Sequence, residues 1–512
     1  SGTRLPHFEV LWNDDDRLRF RHRAWAAEHP KRYLAGAIVV GTIDQVLLSS
    51  LAVSHAHLRA VPLLRSLLVV DEVHASDVYM ARLLQDVLER HCGAGGHALL
   101  MSATLQDTVR HRLLAAAGPR GASFVVPDIG SALAVPYPLV SWLAADGPAR
   151  AAVQRSGKGK DVAATLQALM LEPEEISLVA LQAARDGARV LVIRNTVAGA
   201  LAVQQALEAE QPDGALLLTC EGVPAPHHSR FAREDRVALD AALETALGKE
   251  RPRGGCVAVA TQTAEQSLDL DADLLITDLC PIDVLLQRIG RLHRHERPRP
   301  NGFEQARVIV LVPASWDPDA WIGRDSVARG PHGLGSVYED LNALAATKAW
   351  LEHHPSFSVP RDCRLAVESC LHPEALDATA LAGGAAAQAH RRYLQGVSFA
   401  RRGQAGLGLI NWSADYSSAA FPTEVKLATR LGEDNRRLVL PAPQPSPFGR
   451  SVTEFSVPAH LARSVPGDAV VLSLVSHARS LRFDWGARPW IYDRLGLRPD
   501  NPEDRDATSR PA

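Results

Sequence analysis

Short apolar runs alternate with amphipathic stretches from about residue 37 to residue 312. Leu67–Val70 and Ala98–Met101 have the length and composition of buried parallel strands. Ala37–Val40 reads as a third strand, followed by Gly41-Thr42-Ile43-Asp44-Gln45 and an apolar helix over Val46–Leu51. Val78, Ala81, Leu84, Val87 and Leu88 share one face of a helix predicted over Asp77–His91. A further helix, Leu105–Ala117, stops at Gly118-Pro119.

A second series follows a Gly-, Pro- and charge-rich stretch over 144–161. Helices are predicted at Ile176–Arg185, Val197–Glu210 and Ala232–Leu247, with strands at Arg189–Ile193, Ala215–Thr219, Cys256–Ala260, Leu274–Ile276 and Arg307–Val312. A helix begins at Pro281-Ile-Asp283 and carries Gln287 to His295. Alternation of strand and helix predicts an α/β fold with parallel sheets. Beyond residue 316 the pattern changes to Ala-rich helices at Ser336–Leu351 and Pro373–Tyr393, then to Pro-rich segments with short β-like runs such as Ala469–Val475. The expected domains are 1–145, 146–315, a helical linker region 316–398 and a mixed α+β accessory region 399–512, its last residues from Pro499 disordered.

Composition adjusts this picture only slightly. The 512 residues carry a net charge of −3, so a nucleic-acid site must be a local patch. Six scattered cysteines form no CxxC pair and suggest neither a zinc ribbon nor a disulfide framework. Such cysteine usage fits a reducing, cytoplasmic setting, and with no run of about 18 apolar residues no membrane span or membrane partner is expected. The alternating arginines Arg17, Arg19, Arg21 and Arg23 read as a solvated face. Ser156-Gly-Lys158-Gly-Lys160-Asp161 superficially resembles a phosphate loop. It lacks the Gly-x-x-x-x-Gly-Lys-Ser/Thr pattern and reads as an exposed basic turn.

The chemistry gathers at strand ends. Asp71-Glu72 closes the Leu67–Val70 strand, where open α/β sheets place their sites. Paired carboxylates there suit Mg²⁺ on a nucleotide triphosphate, Asp71 holding the metal and Glu72 orienting the attacking water. Arg288 and Arg291, three apart on one predicted helix, suit charge developing on a γ-phosphate. Gly41 and Thr42, at a strand-to-helix turn, can offer a backbone N–H and a hydroxyl to a phosphate.

Asp71-Glu-Val-His74, Ser102-Ala-Thr104 and Gln287-Arg-Ile-Gly-Arg291 resemble motifs II, III and VI of superfamily 2 helicases. Val40–Gln45, Ala260–Asp269 and Asp278–His295 are similar, more narrowly, to the CRISPR-associated helicase–nucleases of type I interference systems. His228-Ser-Arg-Phe231 and Val192–Thr196 fit as well. The resemblance is strong over about 30–315 and weaker beyond.

It implies two tandem RecA-like domains, the first truncated at its N-terminus, that use ATP and Mg²⁺ to move along single-stranded DNA. Gly41, Thr42, Arg194, Asn195, Thr196 and Thr261 would contact the strand. His74, Ser102, Thr104, Gln262, Glu265, Ser267, Asp269 and Gln287 would couple it to the nucleotide. The implied partners are single-stranded DNA, a Cascade-type surveillance complex and, were the nuclease encoded apart, a separate HD nuclease. Two departures stand out: no His-Asp dipeptide and no Walker A loop occur in these residues. The expectation is therefore an N-terminally truncated helicase chain that alone hydrolyses ATP poorly. The rivals are another superfamily 2 RNA or DNA helicase and an ATPase-dead scaffold that binds DNA or Cascade.

Overall fold

The computed structural model describes residues 33–73, 77–119, 124–144, 147–153, 159–265, 268–415, 429, 435–477 and 479–500. His74, Ser267 and the arginines of the first 32 residues lie outside them. Contacts gather the described residues into two units. One holds the residues up to 153 with 392–415 and 429; the other holds 159–391 with 435–500.

The first unit is built on α1 (Ile43–Leu47), α2 (Ala56–Leu63), β1 (Leu67–Val70), α3 (Val78–Gly93), β2 (His97–Leu100), α4 (Asp107–Ala117), α5 (Ile129–Leu133) and a hairpin of β3 (Leu139–Ala144) and β4 (Gly147–Ala152). The Asp77 carboxylate accepts from Met80 N at 2.8 Å and fixes the start of α3. β1 and β2 pair in parallel, Leu67 opposite His97. Leu68 and Val70 pack with Leu83, Leu84 and Leu88 of α3 and Leu113 of α4. The opposite face does not match the expectation of strands buried on both sides: Leu67 is 64% and Val69 50% exposed. Ala37–Val40 is not a strand either. Its residues have no ladder partner among the described strands, and Ile38 is 91% exposed.

The second unit carries a six-stranded sheet in the order β12-β5-β11-β10-β6-β9. Its strands are β5 (Lys160–Gln167), β6 (Arg189–Ile193), β9 (Cys256–Ala260), β10 (Leu274–Asp278), β11 (Ala306–Leu311) and β12 (Ser356–Val359). All pairings are parallel except that of β12 with β5. Every residue of β6, β9 and β10 is buried, as uninterrupted apolar runs require when helices cover both faces. The helices are α6 (Pro173–Arg185), α7 (Val197–Glu210), α8 (Arg233–Leu247) and α9 (Ile282–Ile289).

Three expectations change here. Within the 144–161 stretch, expected to be a linker, Gly147–Ala152 pairs as β4 with β3 and β5 already begins at Lys160, while 145–146 and 154–158 lie outside the described residues. Ala215–Thr219 makes only a Leu217–Val257 bridge. The chain then turns back at once between β7 (Thr219–Cys220) and β8 (Val223–Pro224), with Glu221 and Gly222 both at positive φ as a tight hairpin turn needs. Finally, α9 ends at Ile289, so Arg291 lies beyond the helix that was expected to carry it.

After the short α10 (Pro318–Trp321), helices α11 (Leu341–His353), α12 (Cys363–Leu371) and α13 (Pro373–Ala382) pack against one another. The expected Pro373–Tyr393 helix breaks at Gly383 and Gly384, the latter at φ +86°, and resumes as α14 (Gly384–Gly408). The C-terminal residues form a β module: β13 (Arg436–Pro445) with β14 (Ser451–Val457), then α15 (Ala459–Ala462) and a meander of β15 (Val471–His477), β16 (Ser480–Trp485), β17 (Arg488–Asp493) and β18 (Gly496–Pro499). Phe455, Trp485, Trp490 and Tyr492 of this module share one core with Phe231 and Leu239. The Asp235 carboxylate accepts from Ser446 Oγ at 2.6 Å and from the Tyr492 hydroxyl, and His228 Nε2 lies 3.2 Å from Leu495 O. The His228-Ser-Arg-Phe231 string thus anchors the β module.

Candidate nucleotide and nucleic-acid sites

In the first unit, adjacent parallel strands bring two motif tips side by side. Met101 N donates to Val70 O at 2.9 Å and Val73 N to Met101 O at 3.0 Å, so the ladder continues past both strand ends. Asp71 and Glu72 stand there exposed. Glu72 sits at φ +51°, a left-handed conformation costly for a side-chain-bearing residue, and its N–H donates to Asp71 Oδ1 at 2.9 Å. The exposure removes the desolvation cost that a buried carboxylate pair would carry. Beside them Ser102 Oγ accepts from Thr104 N at 3.2 Å, while Thr104 is buried with an unbonded hydroxyl. Tyr137 donates to the intervening Ala103 carbonyl. Hard, exposed carboxylate oxygens at a strand tip fit Mg²⁺. Gly41 and Thr42 are exposed just before α1, with no side-chain cap from Thr42.

The second unit organises its tips around one arginine. Arg288 is fully buried. Its Nε donates to Glu265 Oε1 at 2.8 Å, Nη1 to Thr277 Oγ1 at 2.6 Å, and Nη2 to Asn195 Oδ1 at 3.1 Å and to the Tyr338 hydroxyl at 2.8 Å. Burial pushes the Glu265 carboxyl up, and the Arg288 charge opposes that shift. Gln262 Nε2 donates to Asn195 O at 2.7 Å, and Arg291 Nη2 to Glu265 O at 2.6 Å. Arg291 itself is only half-buried. The two arginines, equivalent by spacing, therefore differ: Arg288 is a brace and Arg291 remains partly open.

The same contrast revises the strand-contact set. Arg194 is fully buried and donates from Nε to both Asp278 oxygens at 2.9 and 3.0 Å, and from Nη2 to Met170 O at 2.7 Å. Asn195 and Thr261 are largely buried, yet both line the cleft described below. Direct contact of the Arg194 guanidinium with a strand does not fit this placement, because its donors are committed inside. Thr196 is half-buried and its Oγ1 accepts from Gly199 N at 3.0 Å, capping α7. Asp269 pairs with Arg294 at 2.8 Å and with His295 at 3.0 Å. Gln287 is half-buried on α9.

Two features had no signal in the motifs. Lys160 Nζ donates to Ile289 O at 2.7 Å and to Leu292 O, capping the end of α9. Burial lowers its ammonium from the usual value to about 8. Its partners lie more than a hundred residues away, and local sequence reads only a basic turn. The other feature is a cleft of about 1130 Å³ lined by Thr196, Ser229, Arg230, Arg236, Gln262 and Arg463, among others. Strand tips, the start of α8 and the β module all border it, and its cations suit a phosphate backbone.

Comparison with known proteins agrees with the motifs. The family model for the C-terminal region of the CRISPR-associated nuclease/helicase Cas3 matches residues 186–297. The CRISPR-associated endonuclease/helicase Cas3 of Escherichia coli is 31% identical over 479 residues, 88% of this chain and 48% of that protein. That of Thermus thermophilus is 34% identical over 391 residues, 69% of this chain and 39% of that protein. Among solved structures, T. fusca Cas3 with ATP superposes with a TM-score of 0.71 at 26% identity, covering 92% of this chain and 58% of that one. A chain of a CRISPR RNA-guided surveillance complex, pre-nicking, reaches 0.68 at 25% identity, covering 92% and 61%. The chain thus spans about half the length of these curated relatives. In sequence and in fold the chain is similar to the Cas3 helicase/nucleases, and the match is consistent with their C-terminal portion.

Proposed function

We propose that this chain is the motor portion of a cytoplasmic CRISPR-associated helicase/nuclease. It uses ATP to move along single-stranded DNA, which it unwinds and feeds for degradation after recruitment to a Cascade-type complex. Residues 1–145 and 146–315 supply the two motor domains, 316–398 connect, and 399–512 contribute to holding the strand. One observation carries the reading. The Thr261–Glu265 turn borders a basic cleft and also holds Arg288 and Arg291 through Glu265.

Magnesium ATP, when bound, supplies the phosphoryl group whose hydrolysis drives the motor. Asp71 would hold the metal, Glu72 would orient the attacking water and Arg291 would meet the developing charge. Arg288 keeps Glu265 in place, and Asp269 holds Arg294 and His295. Ser102, Thr104, His74 and Gln287 couple turnover to movement. Asn195, Thr196, Thr261, Arg230, Arg236 and Arg463, which line the cleft, grip the backbone, and Gly41 and Thr42 are strand contacts of the first unit.

A rival reading is an ATPase-dead scaffold that binds a strand through the same cleft. ATPase assays on the chain alone and on an intact relative-length protein, with single-stranded DNA or RNA added, separate the alternatives. The motor reading expects little turnover from the chain, DNA-stimulated turnover from the intact protein, and none after Glu72→Gln. Stimulation by RNA only would sink the DNA assignment. No turnover in the intact protein would favour the scaffold.

A further inference from the structure

His227 is fully buried, yet both ring nitrogens are engaged. Nε2 lies 2.6 Å from Asp240 Oδ1 and Nδ1 lies 2.8 Å from Thr263 Oγ1. Asp240 and Thr263 both line the basic cleft. On the cleft side, Arg236 Nε donates to the same Asp240 oxygen at 3.1 Å. On the inner side, Thr261 N donates to His227 O at 3.1 Å, and Thr263 Oγ1 lies 3.1 Å from that carbonyl as well. Thr263 then leads through the 262–264 turn to Glu265, which holds Arg288 and Arg291.

A hydroxyl has one proton, so Thr263 has two mutually exclusive arrangements. It donates to Nδ1 while neutral His227 donates from Nε2 to Asp240. Alternatively it donates to His227 O and accepts from Nδ1–H; with Nε2–H still facing Asp240, the ring has then taken up one proton from water in the cleft and is an imidazolium. Burial pushes the His227 imidazole down and favours the first. A phosphate that draws Arg236 away leaves the Asp240 carboxylate without its cation, which favours the second. This is a discrete two-state element of the kind that coupling between sites requires.

We propose that His227 and Asp240 are positioning residues that transmit occupancy of the basic cleft by a nucleic-acid phosphate backbone, through Thr263, to the turn holding Arg288 and Arg291. The inference rests on the strand-binding reading of the cleft. It assigns to these two side chains a role that the helicase motifs do not include. Neither residue touches the reacting atoms.

The test uses the full chain with a fluorescein-labelled dT15 oligonucleotide. Anisotropy gives affinity, and hydrogen–deuterium exchange follows the amides of 261–265 with and without the oligonucleotide. Without substitution, dT15 binding should slow exchange of these amides at least about fivefold. Asp240→Asn, on a partly exposed side chain, should abolish the slowing when compared with the unsubstituted chain at equal dT15 occupancy. His227→Gln provides a second, independent variant, and thermal melts confirm that each is folded. A folded variant of either kind that binds dT15 and still shows the slowing overturns the inference. So does an unsubstituted chain that binds dT15 without any change at 261–265. Absence of binding by the unsubstituted chain overturns the strand-binding reading and the inference with it.

Discussion

The strand tips of the two units solve opposite problems. Asp71 and Glu72 stand exposed at the end of β1, with Glu72 held in a left-handed conformation. Arg288 lies fully buried among Glu265, Thr277, Asn195 and Tyr338. One site keeps charge available and stores backbone strain. The other consumes its charge in holding neighbouring strand ends together. A motif residue therefore need not touch a ligand to be indispensable. Strain marks the first kind of site, and saturation of donors marks the second.

The sharpest way to break this comparison is Arg288→Ala. Removing the guanidinium leaves the buried Glu265 carboxylate, Thr277 and Asn195 without their partner, and should cost about 3–5 kcal/mol in urea denaturation. A loss below about 1 kcal/mol would return Arg288 to the ligand-facing class. Arg291→Ala should do the reverse. Turnover of the intact protein falls on the order of 10³-fold, equivalent to about 4 kcal/mol. Stability of the chain changes by about 1 kcal/mol or less.

Lys160 tests the buried side through pH. Its folded-state value of about 8 lies below the ordinary 10.5, so between these values the unfolded chain binds more protons. Stability should rise with pH across that window, by on the order of 2–3 kcal/mol. Below about pH 8 the buried ammonium gives up that advantage. Urea melts at pH 7.5, 9 and 10 should show the rise, and Lys160→Met should flatten it. The smallest effect belongs to the exposed site: Glu72→Gly relieves the positive φ and should stabilise the chain by about 1 kcal/mol while removing the carboxylate proposed to orient the attacking water.

Much of the second unit is legible in sequence because its strands are buried on both faces. Cys256–Ala260 and, after Arg189, Val190–Ile193 are uninterrupted apolar runs, and both strands form as read. Apolar composition alone misleads where pairing decides. Ala37–Val40 has the same character but no ladder partner among the described residues, and Ala215–Thr219 yields to the Glu221-Gly222 turn. The site shows the same division. Asp71-Glu72 at a strand tip follows from local pattern, whereas the unlike fates of Arg288 and Arg291 depend on α9 ending at Ile289. Arg194 reads as a cation for a phosphate until Asp278, 84 residues away, is seen to take it.

The core shared by Phe231, Leu239 and the C-terminal aromatic residues has a practical consequence for dissecting the protein. Sequence homology would suggest an excisable cassette at 186–297, the span matched by the family model. Such a cassette would leave Phe231 and Leu239 facing solvent, and Asp235 would lose both Ser446 and Tyr492. Soluble expression should therefore require 435–500 in the same polypeptide, or the β module supplied in trans. Library design on this scaffold should vary α8 and the β module together.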